Sequence, residues 1–206
     1  LGEGFAEEWC VTEAEMVELE RATVLAKTDW TTGMVTEFTE LQGVMGKEYA
    51  LLDGESPEVA EAIFEQYLPR FAGDVLPQTP AGRVLSIIDK ADNIVATFSR
   101  RLIPTGSQDP YALRRQTIGI LNILAESGWD VELRPLFQRN LELLGVPAEK
   151  HDEILEQLDR FFVLRLKNIY LDKDFAHSTI DLVLSGKDVT VAKTEGLLKA
   201  LEANRI

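Results

Sequence analysis

Apolar residues recur three or four positions apart along most of this 206-residue chain. The widest apolar face belongs to the segment that follows Pro80, and it is formed by Val84, Leu85, Ile87, Ile88, Ala91, Ile94, Val95 and Phe98. Such spacing is typical of an amphipathic helix, whereas a half-buried strand alternates apolar and polar residues. Because no segment shows that alternation, the sequence predicts an all-α fold.

Residues that favour helix starts stand at several places. Thr12 and Glu15 have the spacing of a capping box, and Ser56 is followed by a proline suited to the first helical position. Asp29 and Asp130 are predicted to cap the helices that follow them. The predicted helices span 12–27, a segment after Asp29 that turns Met34, Val35 and Phe38 inward, 56–67, 79–102, 109–127, a short segment after Asp130, 148–170, 174–184 and 188–204.

Prolines and glycines divide these helices. Residues 69–80 hold three prolines and a glycine, which predicts a loop. The internal boundary is predicted at the turn near 128, with a helical domain over 1–128 (residues 1–11 forming an irregular linker) and a smaller helical extension over 129–206. Because the chain begins at Leu1 without a methionine, we expect it to be a piece of a longer protein.

The chain is strongly acidic, with 21 basic and 35 acidic residues and a net charge of −14. Proteins that bind nucleic acid on their own usually carry a basic surface, because neutralising phosphates drives that binding. This chain as a whole is expected to repel RNA. Any RNA contact must therefore be local or made together with other parts of a larger protein.

Cys10 is the single cysteine, so no internal disulfide can form, and this agrees with a cytoplasmic location. We interpret Cys10 as a small packing residue. No run of eighteen apolar residues occurs, so no membrane span is predicted. We expect neither a membrane nor DNA as a partner.

The stretch from Gly106 to Arg115 has an unusual charge pattern. Asp109 is predicted to accept N–H groups of a new helix, with Pro110 at its first position. Arg114 and Arg115 then lie within two turns of the helix start, where the helix dipole favours anions. Helix stability does not explain these arginines, so we expect them to have a partner.

The same stretch, Gly-Ser-Gln-Asp-Pro-Tyr-Ala-Leu-Arg-Arg, resembles a signature of the β subunit of bacterial two-subunit glycyl-tRNA synthetase. Three further blocks resemble that family in the same order: 27–29 together with 34–46, then 67–74, then 89–92. Together the four blocks cover roughly residues 20 to 125. The resemblance implies that the α subunit, which holds ATP and magnesium, performs aminoacylation, and that the partners of this chain are that α subunit and glycine tRNA.

The resemblance also implies an HD-domain-like helical bundle followed by the smaller helical segment. HD domains usually bind a metal through a histidine, a His-Asp pair and a later aspartate. Here Thr28-Asp29 stands where the pair is expected, Gln66 where relatives carry a histidine, and Asp89 where the last aspartate is expected. The two histidines, His151 and His177, lie outside this region, and we interpret them as a solvated helix residue and as a capping or core residue.

We therefore predict that Asp29 and Asp89 are remnants of a degenerate site, with no metal, no cofactor and no catalytic residue in this chain. Both aspartates are interpreted as helix caps or as ion-pair partners of Lys27, Lys90 and nearby arginines. Two alternatives stay open. One is an active metal-dependent phosphohydrolase, which the missing histidines disfavour. The other is a purely architectural domain.

The remaining candidate surface is basic. Arg100, Arg101, Arg114 and Arg115 bracket the loop from Pro104 to Pro110, and Arg83 lies earlier on the same predicted helix. Arginine makes bidentate contacts with phosphates and carboxylates. Either these side chains pair internally with acidic residues such as Asp109, or they contact tRNA or an acidic face of the α subunit.

Aromatic residues cluster in the second block. Trp30, Phe38 and Tyr49 are predicted to lie in the hydrophobic core. The alternative is a subunit contact, since protein interfaces are enriched in tryptophan and tyrosine.

Overall fold

The computed structural model describes Trp9 and residues 11–106, 108–186 and 190–203. Those residues contain no β-strand beyond an isolated bridge between Thr105 and Gln108, which confirms the all-α prediction. No helix among them is long and apolar enough to cross a membrane. The helices are α1 (Glu13–Leu25), α2 (Gly33–Glu37), α3 (Val44–Leu52), α4 (Pro57–Glu65), α5 (Pro80–Ser99), α6 (Leu113–Ser127), α7 (Leu133–Leu143), α8 (His151–Asp172), α9 (His177–Leu184) and α10 (Val191–Ala203).

The described helices fall into two compact units, the first ending at Lys90 and the second beginning at Ala91, within α5. In the first unit, α4 packs against α1 and α3. In the second unit, α8 packs against α6, α7 and α9, and α10 packs against α6 and α9. The domain boundary that the sequence predicts near residue 128 stays a prediction.

Two helices of the first unit begin where local capping residues predict. The Thr12 hydroxyl accepts the Glu15 N–H at 3.3 Å while the Glu15 carboxylate accepts the Thr12 N–H at 2.8 Å, which completes the capping box of α1. The Ser56 hydroxyl accepts the Val59 N–H at 3.2 Å at the start of α4. Apart from Trp9 and Val11, the predicted linker over 1–11, with Cys10, lies outside the described residues.

Aromatic pairs mark the core of the second unit. The rings of Phe98 and Phe161 meet edge to face with centroids 5.1 Å apart, and the rings of Phe137 and Phe162 lie 4.9 Å apart. These four side chains are buried. Phe98 thus joins the carboxyl-terminal end of α5 to the middle of α8.

Helix α5 ends at Ser99, three residues before the predicted end. Arg101 adopts a left-handed backbone with φ 59°, its N–H donates to the Phe98 carbonyl at 2.8 Å, and the Leu102 N–H donates to the Thr97 carbonyl at 3.1 Å. This pair of bonds is the Schellman arrangement that closes many helices. An arginine here occupies the position that glycine usually takes.

The start of α6 differs from the prediction. The helix begins at Leu113, and Pro110 lies in the preceding turn instead of the first helical position. The Asp109 carboxylate still accepts the N–H groups of Leu113 at 2.8 Å and Arg114 at 3.0 Å. Asp109 therefore caps the helix from a longer loop, which Ala112 closes with a left-handed backbone of φ 52°.

Asp130 does not cap α7, so that prediction is wrong. Helix α7 begins after Glu132, whose side chain makes no capping bond. The Asp130 carboxylate instead accepts the Thr190 hydroxyl and pairs with the Lys193 ammonium at 2.8 Å. Asp130 therefore stabilises the start of α10.

Candidate functional site

Arg100 and Arg101 follow the last turn of α5 and are exposed. Within the described part of the chain, their guanidinium groups make no hydrogen bond and no ion pair. The carboxyl terminus of a helix carries partial negative charge and favours nearby cations, so two arginines are favourable at the end of α5. Each of the two guanidinium groups carries five N–H donors that can contact an anion.

Arg114 lies in the first turn of α6 and is half-buried, whereas Arg115 is exposed. The Arg114 Nη2 donates to the Gly106 carbonyl at 2.5 Å, which fixes the side chain against the loop. Both oxygens of the Asp109 carboxylate accept backbone N–H groups, and among the described residues no ion pair joins Asp109 to the Arg114 guanidinium. The choice between internal pairing and contact with a partner stays a prediction for these arginines.

Arg165 on α8 joins this group, and the sequence interpretation missed it. Its Cζ lies 3.6 Å from the Phe161 ring centroid, and its Nη1 donates to the Phe161 carbonyl at 3.0 Å. Burial lowers the pKa of the Arg165 guanidinium, the charge of Arg114 lowers it further, and Asp109 raises it. The one sequence signal was an arginine four residues after a phenylalanine, a spacing that places both on one helix face.

We call Arg100, Arg101, Arg114, Arg115 and Arg165 the arginine surface. All five belong to the second unit: Arg100 and Arg101 follow α5, Arg114 and Arg115 lie on α6, and Arg165 lies on α8. Leu102 and Tyr111, which are exposed, lie in the stretch of chain between Arg100 and Arg115. Arg83 belongs to the first unit, where its Nε donates to the Pro77 carbonyl at 2.9 Å, and its role as a partner contact stays a prediction.

Asp29 is only 2% exposed and is not a cap of α2, whose first turn is capped by the Thr32 hydroxyl. The Asp29 carboxylate accepts the Gly43 N–H at 2.6 Å and the Tyr67 hydroxyl at 3.2 Å. The Tyr67 oxygen in turn accepts the Trp30 Nε1–H at 3.1 Å. Burial, followed by the Asp29 charge, raises the pKa of Tyr67, so the phenol stays protonated and donates to Asp29.

Asp89 pairs with Lys27, which confirms the ion-pair interpretation for that aspartate. Lys90 pairs with neither aspartate and instead donates to backbone carbonyls. Among the residues that the structure describes, no three His, Cys, Asp or Glu side chains are grouped to hold a metal. The two aspartates of the predicted remnant site therefore serve separate internal contacts.

A pocket of about 330 Å³ opens beside Asp29. Its lining includes the carboxylates of Asp29, Asp53 and Glu55 and no lysine or arginine. Two of these three residues have internal partners, since Glu55 pairs with Arg21 and Asp29 accepts the Gly43 N–H and the Tyr67 hydroxyl. His151, whose Nε2 lies 2.8 Å from the Val146 carbonyl, and His177, which is exposed rather than capping or buried, belong to the other unit.

The core prediction is wrong for Trp30 and Phe38, which are 57% and 47% exposed, and Tyr49 is half-buried. The reason is local: α2 has five residues and lies between two 3₁₀ turns, so no continuous helix face carries these side chains inward. Met34 is exposed as well, and only Val35 of the predicted inward set is buried. We call Trp30, Met34 and Phe38 the aromatic surface.

Comparison with known proteins gives one consistent result. A family model described as glycyl-tRNA synthetase beta subunit matches residues 3–185. The glycine–tRNA ligase beta subunit of Desulforamulus reducens is 48% identical over 188 residues, which cover 90% of this chain and 27% of that protein. That of Clostridioides difficile is 47% identical over 190 residues, covering 92% and 27%. The chain thus spans about a quarter of the length of these relatives.

Proposed function

This chain belongs to the glycyl-tRNA synthetase beta subunit family, and from that membership we propose that it is a non-catalytic helical part of a glycine–tRNA ligase that helps position tRNA. The complete enzyme joins glycine to its tRNA with ATP, and the α subunit holds ATP and magnesium. We propose further that the region resembling the family blocks keeps an HD-like arrangement of helices without its metal chemistry.

The observation that carries this proposal is that the exposed guanidinium groups of Arg100 and Arg101 make no hydrogen bond and no ion pair with any residue that the structure describes. In a chain of net charge −14, exposed arginines would be expected to find carboxylates, and these two pair with none in the described ranges. Arginine forks match phosphate oxygens, and exposed Tyr111 adds a ring on which a base can stack. The arginine surface therefore suits a short stretch of RNA backbone.

Because the rest of the chain is acidic, RNA is expected to contact it only at the arginine surface. Phosphates are attracted only where positive charge exceeds negative charge locally, within about a Debye length of 8–10 Å at physiological salt. Elsewhere the surface repels RNA. A tRNA held mainly by other parts of the ligase would then meet this chain at one place.

The test is binding of fluorescently labelled glycine tRNA to the chain at low and moderate salt. The Arg100→Glu/Arg101→Glu variant changes two exposed side chains that bond to no other part of the chain that the structure describes, so its fold is expected to persist. Arg139→Glu/Arg160→Glu is the matched control, because it makes the same charge change at exposed arginines of the same unit. We expect salt-sensitive, saturable binding that falls at least tenfold in the first variant and much less in the control.

If both variants lost tRNA affinity equally, the loss would result from the change in net charge and not from the position of Arg100 and Arg101. No binding by the wild-type chain at low salt would remove a self-sufficient RNA contact. The Arg114→Glu/Arg115→Glu variant, checked for folding by circular dichroism, extends the test to the start of α6.

A second candidate function is docking of the α subunit through the aromatic surface of the first unit. It is supported by the exposure of Trp30, Met34 and Phe38, since tryptophan and other aromatic residues dominate binding energy at protein interfaces. If this function is correct, substitutions in the aromatic surface weaken α-subunit binding and leave tRNA binding unchanged. A phosphohydrolase function is not favoured, because among the described residues no three His, Cys, Asp or Glu side chains are grouped to hold a metal. A purely architectural role predicts that neither surface affects binding.

A further inference from the structure

We infer that Tyr67 is a positioning residue for the aromatic surface, because it holds the exposed ring of Trp30 in one orientation for contact with the α subunit. Tyr67 is half-buried and lies 37 residues after Trp30 in the chain. The inference rests on the second candidate function, docking of the α subunit. It adds to that function a residue that lies outside the exposed patch.

One hydroxyl group joins the exposed ring of Trp30 to the buried carboxylate of Asp29. The Trp30 Nε1–H donates to the Tyr67 oxygen at 3.1 Å, and the Tyr67 hydroxyl donates to Asp29 at 3.2 Å. The direction of both bonds is fixed, because an indole N–H only donates and a carboxylate only accepts. The orientation of a surface ring is therefore set from the interior of the first unit.

Tyr67 is itself held at its backbone and at its ring. The Lys90 ammonium donates to the carbonyls of Gln66 and Leu68, the two neighbours of Tyr67 in the chain, at 3.1 and 2.7 Å. A Cβ on Gly43 would lie 2.6 Å from the Tyr67 ring, so this ring packs directly against the backbone at Gly43. The oxygen that receives the Trp30 N–H thus has little freedom to move.

A ring that is held before binding makes a better contact than a mobile one. Ordering a mobile side chain opposes association, and an existing hydrogen bond removes most of that penalty. Tryptophan is also among the residues that contribute most to binding energy at protein interfaces. Tyr67 therefore increases the affinity of the aromatic surface without touching the partner.

The charges next to Phe38 favour a protein partner with basic residues. Glu37 and Glu40 are exposed, and with the residues that the structure describes they make no ion pair. Two carboxylates repel RNA phosphates, and a second copy of this chain, with its net charge of −14, would bring two more. The partner that fits is a protein face with an apolar pocket for Trp30 and a basic edge, and we assign this face to the α subunit.

The first experiment observes the Trp30 indole by proton–nitrogen correlation spectra of the chain. The three tryptophans give three indole N–H peaks, and Trp30→Phe identifies the peak of Trp30. We expect Tyr67→Phe to move this peak upfield and to speed exchange of its proton with water. The control is Tyr49→Phe, which removes the hydroxyl of another half-buried tyrosine of the first unit and should leave the peak unchanged.

Wild type alone also tests whether the ring is held. Nitrogen relaxation of the Trp30 indole should give an order parameter near that of rigid backbone, about 0.85, whereas flexible groups fall below about 0.6. A value in the flexible range would overturn the inference, even if Tyr67→Phe fails to fold.

The second experiment measures α-subunit affinity by calorimetry. We expect Tyr67→Phe to weaken binding about three- to tenfold, the size expected when one side chain must be immobilised on binding. Tyr49→Phe should bind as wild type does. In a Trp30→Phe background, Tyr67→Phe should have no further effect, because the hydrogen bond that it removes is already absent.

The outcomes separate the inference from the docking function. Wild-type affinity in Tyr67→Phe would overturn the positioning role and leave docking standing. Failure of the wild-type chain to bind the α subunit, with a rigid Trp30 indole that Tyr67→Phe releases, would overturn docking and support the positioning of Trp30. An unchanged Trp30 peak in Tyr67→Phe would overturn the positioning role whatever the affinities.

Discussion

The Nζ of Lys90 lies 2.7 Å from the carbonyl oxygen of Leu68, which is 22 residues earlier in the chain. The same ammonium donates to the Gln66 carbonyl at 3.1 Å and to the Ser86 hydroxyl at 2.7 Å. Lys90 is 5% exposed and has no carboxylate among these partners. A buried cation thus fastens the segment after α4 to α5 with neutral acceptors.

Because Lys90 is buried, we expect the stability of the protein to depend on pH in the alkaline range. Burial lowers its pKa from the ordinary value of 10.5 to about 8, with Asp89 raising it and Lys27 lowering it. Between pH 8 and 10.5 the unfolded chain keeps a proton that the folded chain has lost, so rising pH favours the folded state. A shift of this size corresponds to roughly 3 kcal/mol, at about 1.4 kcal/mol per pKa unit.

The measurement is the free energy of unfolding by urea at pH 7.5, 8.5 and 9.5, for wild type and Lys90→Met. Tyrosines also titrate near pH 10, so the difference between the two proteins isolates Lys90. We expect the stability of wild type to rise relative to the variant as pH increases. A difference that stays constant across this range would contradict the lowered pKa.

Asp29 and Asp89 are expected to differ sharply when substituted. Asp29→Ala leaves the buried Gly43 N–H without an acceptor and should cost about 1–3 kcal/mol. Asp89→Ala breaks a partly exposed ion pair with Lys27 and should cost less than about 1 kcal/mol. Urea unfolding of both variants checks this, and equal costs would contradict the contrast.

The same two variants test the degenerate site. If Asp29 and Asp89 still bound a metal, Mn²⁺ would raise the Tm of wild type and not of either variant. We expect no metal-dependent difference among the three proteins, because these carboxylates already serve Gly43, Tyr67 and Lys27.

Gly82 and Gly196 are expected to respond oppositely to alanine. A Cβ at Gly82 would lie 2.7 Å from the Glu65 Cβ and 2.8 Å from the Thr79 hydroxyl, closer than such atoms approach. Glu65 is buried and accepts the Gln78 N–H at 2.6 Å before the start of α5. Displacing it should destabilise the fold by about 1–3 kcal/mol.

A Cβ at Gly196, within α10, meets no atom within 4 Å. Gly196→Ala should therefore stabilise the protein by about 0.5–1 kcal/mol, since alanine loses less backbone entropy in a helix. Thermal unfolding of both variants beside wild type is the measurement. A Tm change of the same sign in both would show that packing at Gly82 does not decide the outcome.

Trp30 is expected to matter for binding more than for stability. Trp30→Ala removes an exposed ring and one hydrogen bond to Tyr67, so its cost in unfolding free energy should stay below about 1 kcal/mol. If the aromatic surface docks the α subunit, Trp30→Ala/Phe38→Ala should weaken α-subunit binding at least tenfold in calorimetry.

The matched control is Val17→Ala/Val24→Ala, which removes exposed apolar side chains of α1 in the same unit. It should leave α-subunit binding unchanged. Equal weakening by both pairs would argue against a specific aromatic contact, and tRNA binding should be unaffected by either pair.

The helix starts that rest on neighbouring residues were predictable from the sequence. Thr12 and Ser56 accept N–H groups three residues ahead, so both partners of each bond lie within one helical turn. The all-α class and the family resemblance likewise follow from spacing and from ordered local blocks. Such features depend on short stretches of chain, and the sequence displays them directly.

Tertiary structure decided the roles of the charged residues. Asp130 contacts Thr190 across 60 residues, Asp29 reaches Tyr67 across 38, and Lys90 reaches Gln66 across 24. Each had an equally reasonable local role as a cap or an ion-pair partner. Asp29 and Lys90 are buried, so packing removes these charges from water and they must find donors or acceptors wherever the fold supplies them. Asp130 is exposed, and its role depends on the packing that brings Thr190 and Lys193 beside it.

The candidate site shows the same division. Charge and spacing in the sequence indicated Arg100, Arg101, Arg114 and Arg115, because these residues bracket one loop. Arg165 was recognised only from the structure, in which α8 packs against α6 and the Arg165 guanidinium stacks on the Phe161 ring. Local pattern determined the helices and the family, and the long-range packing of those helices decided which charges meet.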